Sequence, residues 1–191
     1  MAALWLLGAY LLGSFPTGLV VARANGVDLR QVGSGNIGTT NVGRALGRGW
    51  AALVLLVDAS KGALPVLLSR SLDAQVWLPA AVGLAAVLGQ VFTVFLRGRG
   101  GKGVATSLGA GLALAPAAAL PCVTLYALVV AASRISSLGS LSAVLGFPLS
   151  LWLLGQATPF NLGFAAAVAL VVFVRHKDNL RRLARGAENR I

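Results

Sequence analysis

The chain alternates long apolar runs with short gaps crowded with glycine, amide, hydroxyl and cation. A membrane span needs about 20 apolar residues to cross a hydrocarbon core of about 30 Å. The runs predict helices over 2–22, 50–70, 76–96, 104–115, 117–133, 138–155 and 159–175. The fourth is short: at about 1.5 Å per residue it covers only about 18 Å, so it reads as a half-span or a tilted, buried piece. Pro116 ends it, and Pro121 falls in the first turn of the next. The tail after Asn179 is basic and polar and predicts a helix lying on the membrane surface. The pattern predicts an all-α integral membrane protein: a seven-helix transmembrane bundle with one short span, forming one domain over residues 1–191.

The cations set the orientation. Seven crossings with the N-terminus outside put 23–49, 97–103, 134–137 and 176–191 in the cytoplasm, and 71–75, the turn at Pro116 and 156–158 outside. Of the 16 Lys and Arg residues, only Arg70 then falls on the outer side and only Lys61 within a span, the bias that the positive-inside rule demands. The C-terminus is cytoplasmic. The first apolar run has no basic stretch before it, so it reads as a span rather than a cleaved signal peptide.

Composition sharpens the class. The chain is 57% hydrophobic and 11% charged, with a mean hydropathy of +0.83, against about 25% charged in soluble domains. Such a chain buries its surface in lipid. Its net charge of +11 would suit nucleic acid, but the cations stand at the ends of apolar runs rather than on a continuous basic face, which excludes that partner. The lone Cys122 makes no disulfide and reads as a small buried side chain. The single His176 and the carboxylates Asp28, Asp58, Asp73, Asp178 and Glu188 have no metal-ligand spacing, so no metal or other cofactor is expected. A monomer is compatible with the sequence, which does not set the oligomeric state.

Three gaps carry candidate chemistry. The first reads Gly33-Ser34-Gly35-Asn36-Ile37-Gly38-Thr39-Thr40-Asn41-Val42-Gly43-Arg44, with no carboxylate between Asp28 and Asp58. Gly33 and Gly35 let backbone N–H groups approach an anion as a nest. Ser34, Asn36, Thr40 and Asn41 add donors, and Arg44 can grip two phosphate oxygens at once. The second gap carries Gly100, Gly101, Lys102 and Gly103 into a helix whose first turn holds Thr106, so that amides and the positive dipole end face the loop. It is not the nucleotide P-loop: the glycine spacing before Lys102 differs and no strand precedes it. The third pairs His176 with Asn179 on one helix face; imidazole can act as base, acid or phosphate donor near neutral pH. Each also has a plainer reading: a flexible polar loop, a basic turn at the membrane edge, a structural histidine. Arg134, Ser136, Ser137 and Ser140 form a smaller polar cluster. Asp58 and Lys61, one turn apart in an apolar run, make either a buried structural pair or a functional one.

Together these segments resemble the bacterial acyl-phosphate-dependent glycerol-3-phosphate acyltransferases, small integral membrane enzymes of phospholipid synthesis. The matching stretches are Gly33 through Arg44, Gly100 through Thr106, and Arg175-His176-Lys177-Asp178-Asn179-Leu180-Arg181-Arg182-Leu183 with Gly186 and Glu188-Asn189-Arg190 beyond. Asp58 to Gly62 and Ser133 to Ser137 add to the likeness, which runs nearly end to end. The resemblance implies transfer of an acyl group from acyl phosphate to the 1-hydroxyl of glycerol 3-phosphate, giving lysophosphatidic acid and phosphate, at the cytoplasmic face of the bacterial inner membrane. Family motif residues fall on Ser34 and Arg44, on the second-loop glycines with Lys102, and on His176, Asn179 and Glu188. The second loop is associated with glycerol 3-phosphate. The family usually carries a histidine before the second motif; this chain has Gln90 and Thr93 there. The His-x4-Asp motif of acyl-CoA-dependent enzymes is absent, since Arg181 stands where the aspartate would.

The catalytic candidates are therefore Ser34, Asn36, Arg44, Lys102, His176 and Asn179. Phosphate-binding candidates are Gly33, Gly35, Thr40, Asn41, Gly100, Gly101, Gly103, Thr106 and Ser137. Lys61 and Glu188 are expected to be structural. Arg44 and Lys102 would neutralise two phosphates that otherwise repel, and Asn36 or Asn179 would steady the carbonyl oxygen. Ser34 as a nucleophile would need a partner base. His176 is one candidate base or phosphate ligand, and an oxygen of a substrate phosphate is the favoured proton acceptor. The rival classes are a transporter of phosphate or organophosphate anions, which calls for a midplane site and broken helices in both halves, and a non-catalytic lipid-binding subunit.

Overall fold

The computed structural model describes residues 1–72 and 75–191, and every regular element among them is helical. In chain order these are α1 (Ala2–Ser14), α2 (Thr17–Ala24), α3 (Thr39–Leu46), α4 (Arg48–Leu72), α5 (Leu78–Val91), α6 (Val104–Leu114), α7 (Pro116–Ser133), α8 (Ser136–Leu153), α9 (Pro159–Arg175) and α10 (Lys177–Ala184), with a 3-10 turn over Val94–Leu96. Five segments are long and apolar enough to cross a membrane: Ala2–Ala24, Arg48–Leu72, Leu78–Leu96, Pro116–Ser133 and Ser136–Leu153. Taken as one span, α9 and α10, bent by 60°, make a sixth, and α6 is a shorter apolar helix. This is a multi-pass membrane protein.

Each predicted apolar run contains a helix, and the differences lie in the breaks. The expected helix 2–22 is split at Pro16, which has no N–H to donate. A carbonyl freed inside a bilayer has no water to turn to. Here the Phe15 oxygen accepts from Lys61 Nζ at 2.5 Å, and the Ser14 oxygen accepts from Thr93 Oγ1 at 2.5 Å. Lys61 is 3% exposed and pairs with Asp58 Oδ1 at 2.5 Å. Gln90 closes the knot, donating from Nε2 to Asp58 Oδ2 at 3.1 Å and accepting from Lys61 Nζ at 3.2 Å. The three ammonium donors thus meet three acceptors, and the α1–α2 break, α4 and α5 are tied at one point. All three Lys61 donors are committed inside the bundle.

The expected loop 23–49 contains α3. Its buried Val42 packs with Leu19, Ala22, Leu29, Ile37 and Val54. The expected helix 76–96 stops at Val91, where the chain turns through Val94–Leu96. The expected outer turn 71–75 falls partly on residues 73 and 74, outside the described residues.

α4 and α6 cross at backbone contact. A Cβ at Gly62 would lie 2.0 Å from the Thr106 oxygen, and one at Gly109 would lie 1.8 Å from the Ala59 oxygen. Close approach of this kind supplies dispersion contacts where lipid removes the hydrophobic drive between helices. The α1–α5 crossing repeats the device at Gly13 and Gly89.

The loops gather at two poles. At one, Arg30 Nη2 donates to the Arg99 oxygen at 2.6 Å, the Thr40 and Ser136 hydroxyls meet at 2.9 Å, Arg175 Nη2 donates to the Gly100 oxygen at 3.0 Å, and Arg134 Nε donates to the Ile191 oxygen at 3.0 Å. At the other, Arg70 Nη1 donates to the Ala113 oxygen at 2.6 Å, and the Ala118 amide donates to Gln156 Oε1 at 3.1 Å. The four segments expected to share one side of the membrane therefore converge.

The crossing gives a stability prediction. Gly109→Ala pushes a methyl into the α4 backbone and lowers the melting temperature in detergent by several degrees. Gly163→Ala, in open space on α9, leaves it unchanged or slightly raised, because alanine is the better helix former. Equal behaviour of the two variants in a thermal-shift measurement would contradict the crossing.

Candidate active site

A cavity of about 360 Å³ opens at the pole where the four segments meet. Ser34, Asn36, Thr40, Arg44, Lys102 and His176 line its polar part. Deeper in the helices it is lined by Leu108, Val123, Val144, Phe147, Phe164 and Val168. Phe147 and Phe164 lie about three turns into α8 and α9, roughly 16 Å below the pole.

Asn41 builds the first loop. It is 2% exposed, its Nδ2 donates to the oxygens of Leu29, Val32 and Asn36, and its Oδ1 accepts from the Ser34 amide at 3.0 Å. Its amide is spent on shaping the loop rather than free for a ligand. Gly33 and Gly35 take φ of +56° and +65°, turning the chain so that Ser34 and Asn36 face the cavity while the glycines stay off its wall. No hydrogen bond joins Ser34 Oγ to a base among the described residues. α3 then follows Gly38, an N-cap residue with no side chain to cap it. Arg44 reaches back along the helix, its Nη2 donating to the Asn189 oxygen at 3.2 Å, while its buried Nε has no partner among the described residues. Burial lowers the Arg44 pKa and Arg182 adds to this, against the pull of Glu188.

In the second loop, Gly100 and Gly101, expected to bind phosphate, have their amides already engaged. Their amides donate to Val91 and Gln90 oxygens at 3.1 and 3.0 Å, and their oxygens accept from Arg175. Neither residue lines the cavity. The need for glycine is steric: a Cβ at Gly100 would lie 2.2 Å from the Gln90 oxygen. Thr106 is also off the wall and fully buried, its backbone oxygen standing at the α4 crossing. What this loop delivers is Lys102, whose Nζ donates to Asn179 Oδ1 at 2.6 Å, with Gly103 beside it on the wall. Burial brings the Lys102 pKa down to about 8; Glu188 opposes this, and Arg182, Arg44 and Arg175 reinforce it.

His176 sits at the α9–α10 bend and is 1% exposed. Its Nδ1 lies 2.8 Å from the Val172 oxygen. A carbonyl only accepts, so Nδ1 carries the proton and Nε2 a lone pair, with no partner for Nε2 among the described residues. Burial, then the nearby Lys102 charge, lowers the His176 pKa to about 4; the bond to Val172 and Glu188 oppose. The ring is neutral at physiological pH, so Nε2 is free to accept a hydrogen bond and the ring brings no positive charge.

Glu188 joins the third segment to α8. Its carboxylate accepts from Ser137 Oγ at 2.9 Å, Asn179 Nδ2 at 2.5 Å and Arg182 Nε at 2.7 Å. Burial pushes its pKa up, but these bonds outweigh it and hold the carboxyl below its ordinary value. Sequence reasoning passed over Arg182, and Tyr126, whose hydroxyl lies 3.0 Å from Ser136 Oγ. A tyrosine inside an apolar run was the available signal for the second.

The arrangement sets Arg44, Lys102 and Arg182 about one carboxylate, with a neutral imidazole and an apolar slot in the same cavity. That is the form of a membrane enzyme acting on amphipathic anions. The comparisons give the family. A family model described as glycerol-3-phosphate acyltransferase matches residues 3–186. The glycerol-3-phosphate acyltransferase of Rubrobacter xylanophilus is 50% identical over 190 residues, covering 100% of this chain and 95% of the relative. That of Geobacter sulfurreducens is 49% identical, covering 95% and 93%. The crystal structure of PlsY, an integral membrane glycerol 3-phosphate acyltransferase, in its glycerol 3-phosphate form matches with a TM-score of 0.95 at 40% identity, covering 100% of this chain and 95% of that one. The lysophosphatidic acid form matches with a TM-score of 0.91 at 39% identity and the same coverage. The chain belongs to the glycerol-3-phosphate acyltransferase family and is an acyltransferase.

Lys102 carries a pH prediction. It is charged below pH 8 and loses its proton above. Sulfate keeps one charge state over this range, so its affinity should fall by up to about tenfold per pH unit above 8. Lys102→Arg should hold affinity to higher pH. Calorimetric titration between pH 7 and 9.5 tests this, and a flat profile for the unmodified protein would count against a role for Lys102 in anion binding.

Proposed function

We propose that this protein transfers a fatty acyl group from acyl phosphate to the 1-hydroxyl of glycerol 3-phosphate, giving lysophosphatidic acid and phosphate. The observation that carries this reading is the convergence of Arg44, Lys102 and His176, from three distant segments, on one cavity that continues into an apolar slot. Two phosphates sit in the polar part, with Arg44 and Lys102 offsetting their repulsion, and the acyl chain lies against Phe147 and Phe164. Holding both reactants in line supplies several kcal/mol by proximity alone, about 7 or more in the best cases. Asn36 or Asn179 steadies the carbonyl oxygen as charge develops. A cavity gathered at one pole suits surface chemistry better than a midplane transport site.

Acyl phosphate is already activated, so no covalent enzyme intermediate is required. The hydroxyl oxygen bonds to the acyl carbon, the bond from that carbon to the phosphate oxygen breaks, and the hydroxyl proton ends on the departing phosphate. His176 Nε2 orients the hydroxyl, and Ser34 binds rather than attacks. We place the site at the cytoplasmic face of the bacterial inner membrane, with seven crossings, α6 as the short one, the N-terminus outside and the C-terminus inside. The loops that meet at the motif pole carry most of the cations, which is the support for that orientation.

Purified protein given acyl phosphate and glycerol 3-phosphate should release phosphate and form an acylated glycerol phosphate; no product would sink the reading. His176→Asn keeps a donor for Val172. It should cost less than about 100-fold in kcat and remove no limb of the pH profile, whereas general bases contribute roughly 10²–10⁴-fold. A larger loss together with a vanished limb would make His176 the base.

A further inference from the structure

One buried residue outside the three polar loops touches both the ion pair at membrane depth and the loop that carries Lys102. Gln90, 5% exposed in the last turn of α5, donates from Nε2 to Asp58 Oδ2 at 3.1 Å and accepts at Oε1 from Lys61 Nζ at 3.2 Å. Its backbone oxygen accepts the Gly101 amide at 3.0 Å, one residue before Lys102. The fit at that point is tight, since a Cβ on Gly101 would lie 3.2 Å from Gln90 Nε2. The remaining Lys61 donors are committed to Asp58 and the Phe15 oxygen, so the side chain of Gln90 is held at both ends. Asp58 and Gln90 both line the cavity below Lys102.

We propose that Gln90 is a positioning residue, passing the rigidity of the Asp58–Lys61 pair through its backbone to Gly101 and fixing Lys102 where it meets Asn179 and the substrate phosphate. A neutral amide suits the task because it faces a carboxylate with a donor and an ammonium with an acceptor at once. Leucine offers neither. Glutamate sets a second carboxylate beside the first. A neutral imidazole again offers one donor and one acceptor.

The inference rests on the acyl-transfer reading, and the experiment separates the two. Kinetics and melting temperature are measured for the unmodified protein, Gln90→Leu and Gln90→His. The unmodified protein must form the acylated product; if it does not, the acyl-transfer reading fails and not this one. With activity present, Gln90→Leu should raise KM for glycerol 3-phosphate by about tenfold or more and move the alkaline limb of kcat/KM upward from pH 8, as Lys102 leaves its buried place. Gln90→His should bring both values most of the way back. Should the leucine variant fail to fold, Gln90→Asn, which keeps the amide one methylene short, carries the same expectation. Unchanged KM and limb in a folded variant would overturn the proposal. So would a lower melting temperature with unaltered kinetics, which would mark Gln90 as a stability residue only.

Discussion

Buried backbone that leaves a helix must find its partners inside the protein, and this chain does so twice around one point. The first place is the Phe15–Pro16 break, whose freed carbonyls are taken by Lys61 and Thr93. The second is the return of the Gly100–Gly101 loop onto the end of α5, where two amides meet the Val91 and Gln90 carbonyls and Arg175 covers the loop's own oxygens. A charged pair is costly in such a setting, but Asp58, Lys61 and Gln90 satisfy one another and the broken backbone together. That knot lets α6 begin within the bundle, and it fixes the height at which Lys102 enters the cavity.

Electrostatics follow from this placement. Arg44, Lys102 and Arg182 are held near each other with Glu188 as their common counter-charge, in partial seclusion from water. Glu188 is bonded three times over, and it keeps the cations in place without cancelling them. The excess positive charge and the Nε of Arg44, which has no partner among the described residues, are what a site for multiply charged phosphates requires. His176, neutral and with its lone pair on Nε2, is suited to a hydroxyl rather than to a phosphate.

Much of this architecture was legible in the chain. The apolar runs marked the helices, and the one-sided cations predicted which loops would meet. The eight-residue α3 was not legible, because glycine, threonine and asparagine in its first turns read as loop until Val42 finds the core between α2 and α4. The split at Pro16 was hidden because the apolar run continues through it. Residue types in the motifs were informative, but their duties were less so. Gly100 and Gly101 looked like phosphate ligands, yet they spend their amides on the end of α5, and a Cβ at Gly100 would meet the Gln90 oxygen. Asn41 looked like a ligand and acts as the knot of its loop. The protonation of His176 depends on a carbonyl four residues back and on burial, neither of which a sequence states. Gln90 stood out only as a departure from the family pattern.

The central claim is that one cradle, assembled from separate polar segments, holds both reacting phosphates side by side. A crystal structure with glycerol 3-phosphate and a non-hydrolysable acyl phosphonate bound together tests it most directly, by the positions of the two phosphorus atoms. Both should lie within the cavity, with Arg44 and Lys102 in contact with their oxygens and the acyl chain running past Phe147 and Phe164. Phosphorus atoms found at opposite poles of the bundle, or beyond reach of both cations, would contradict the account.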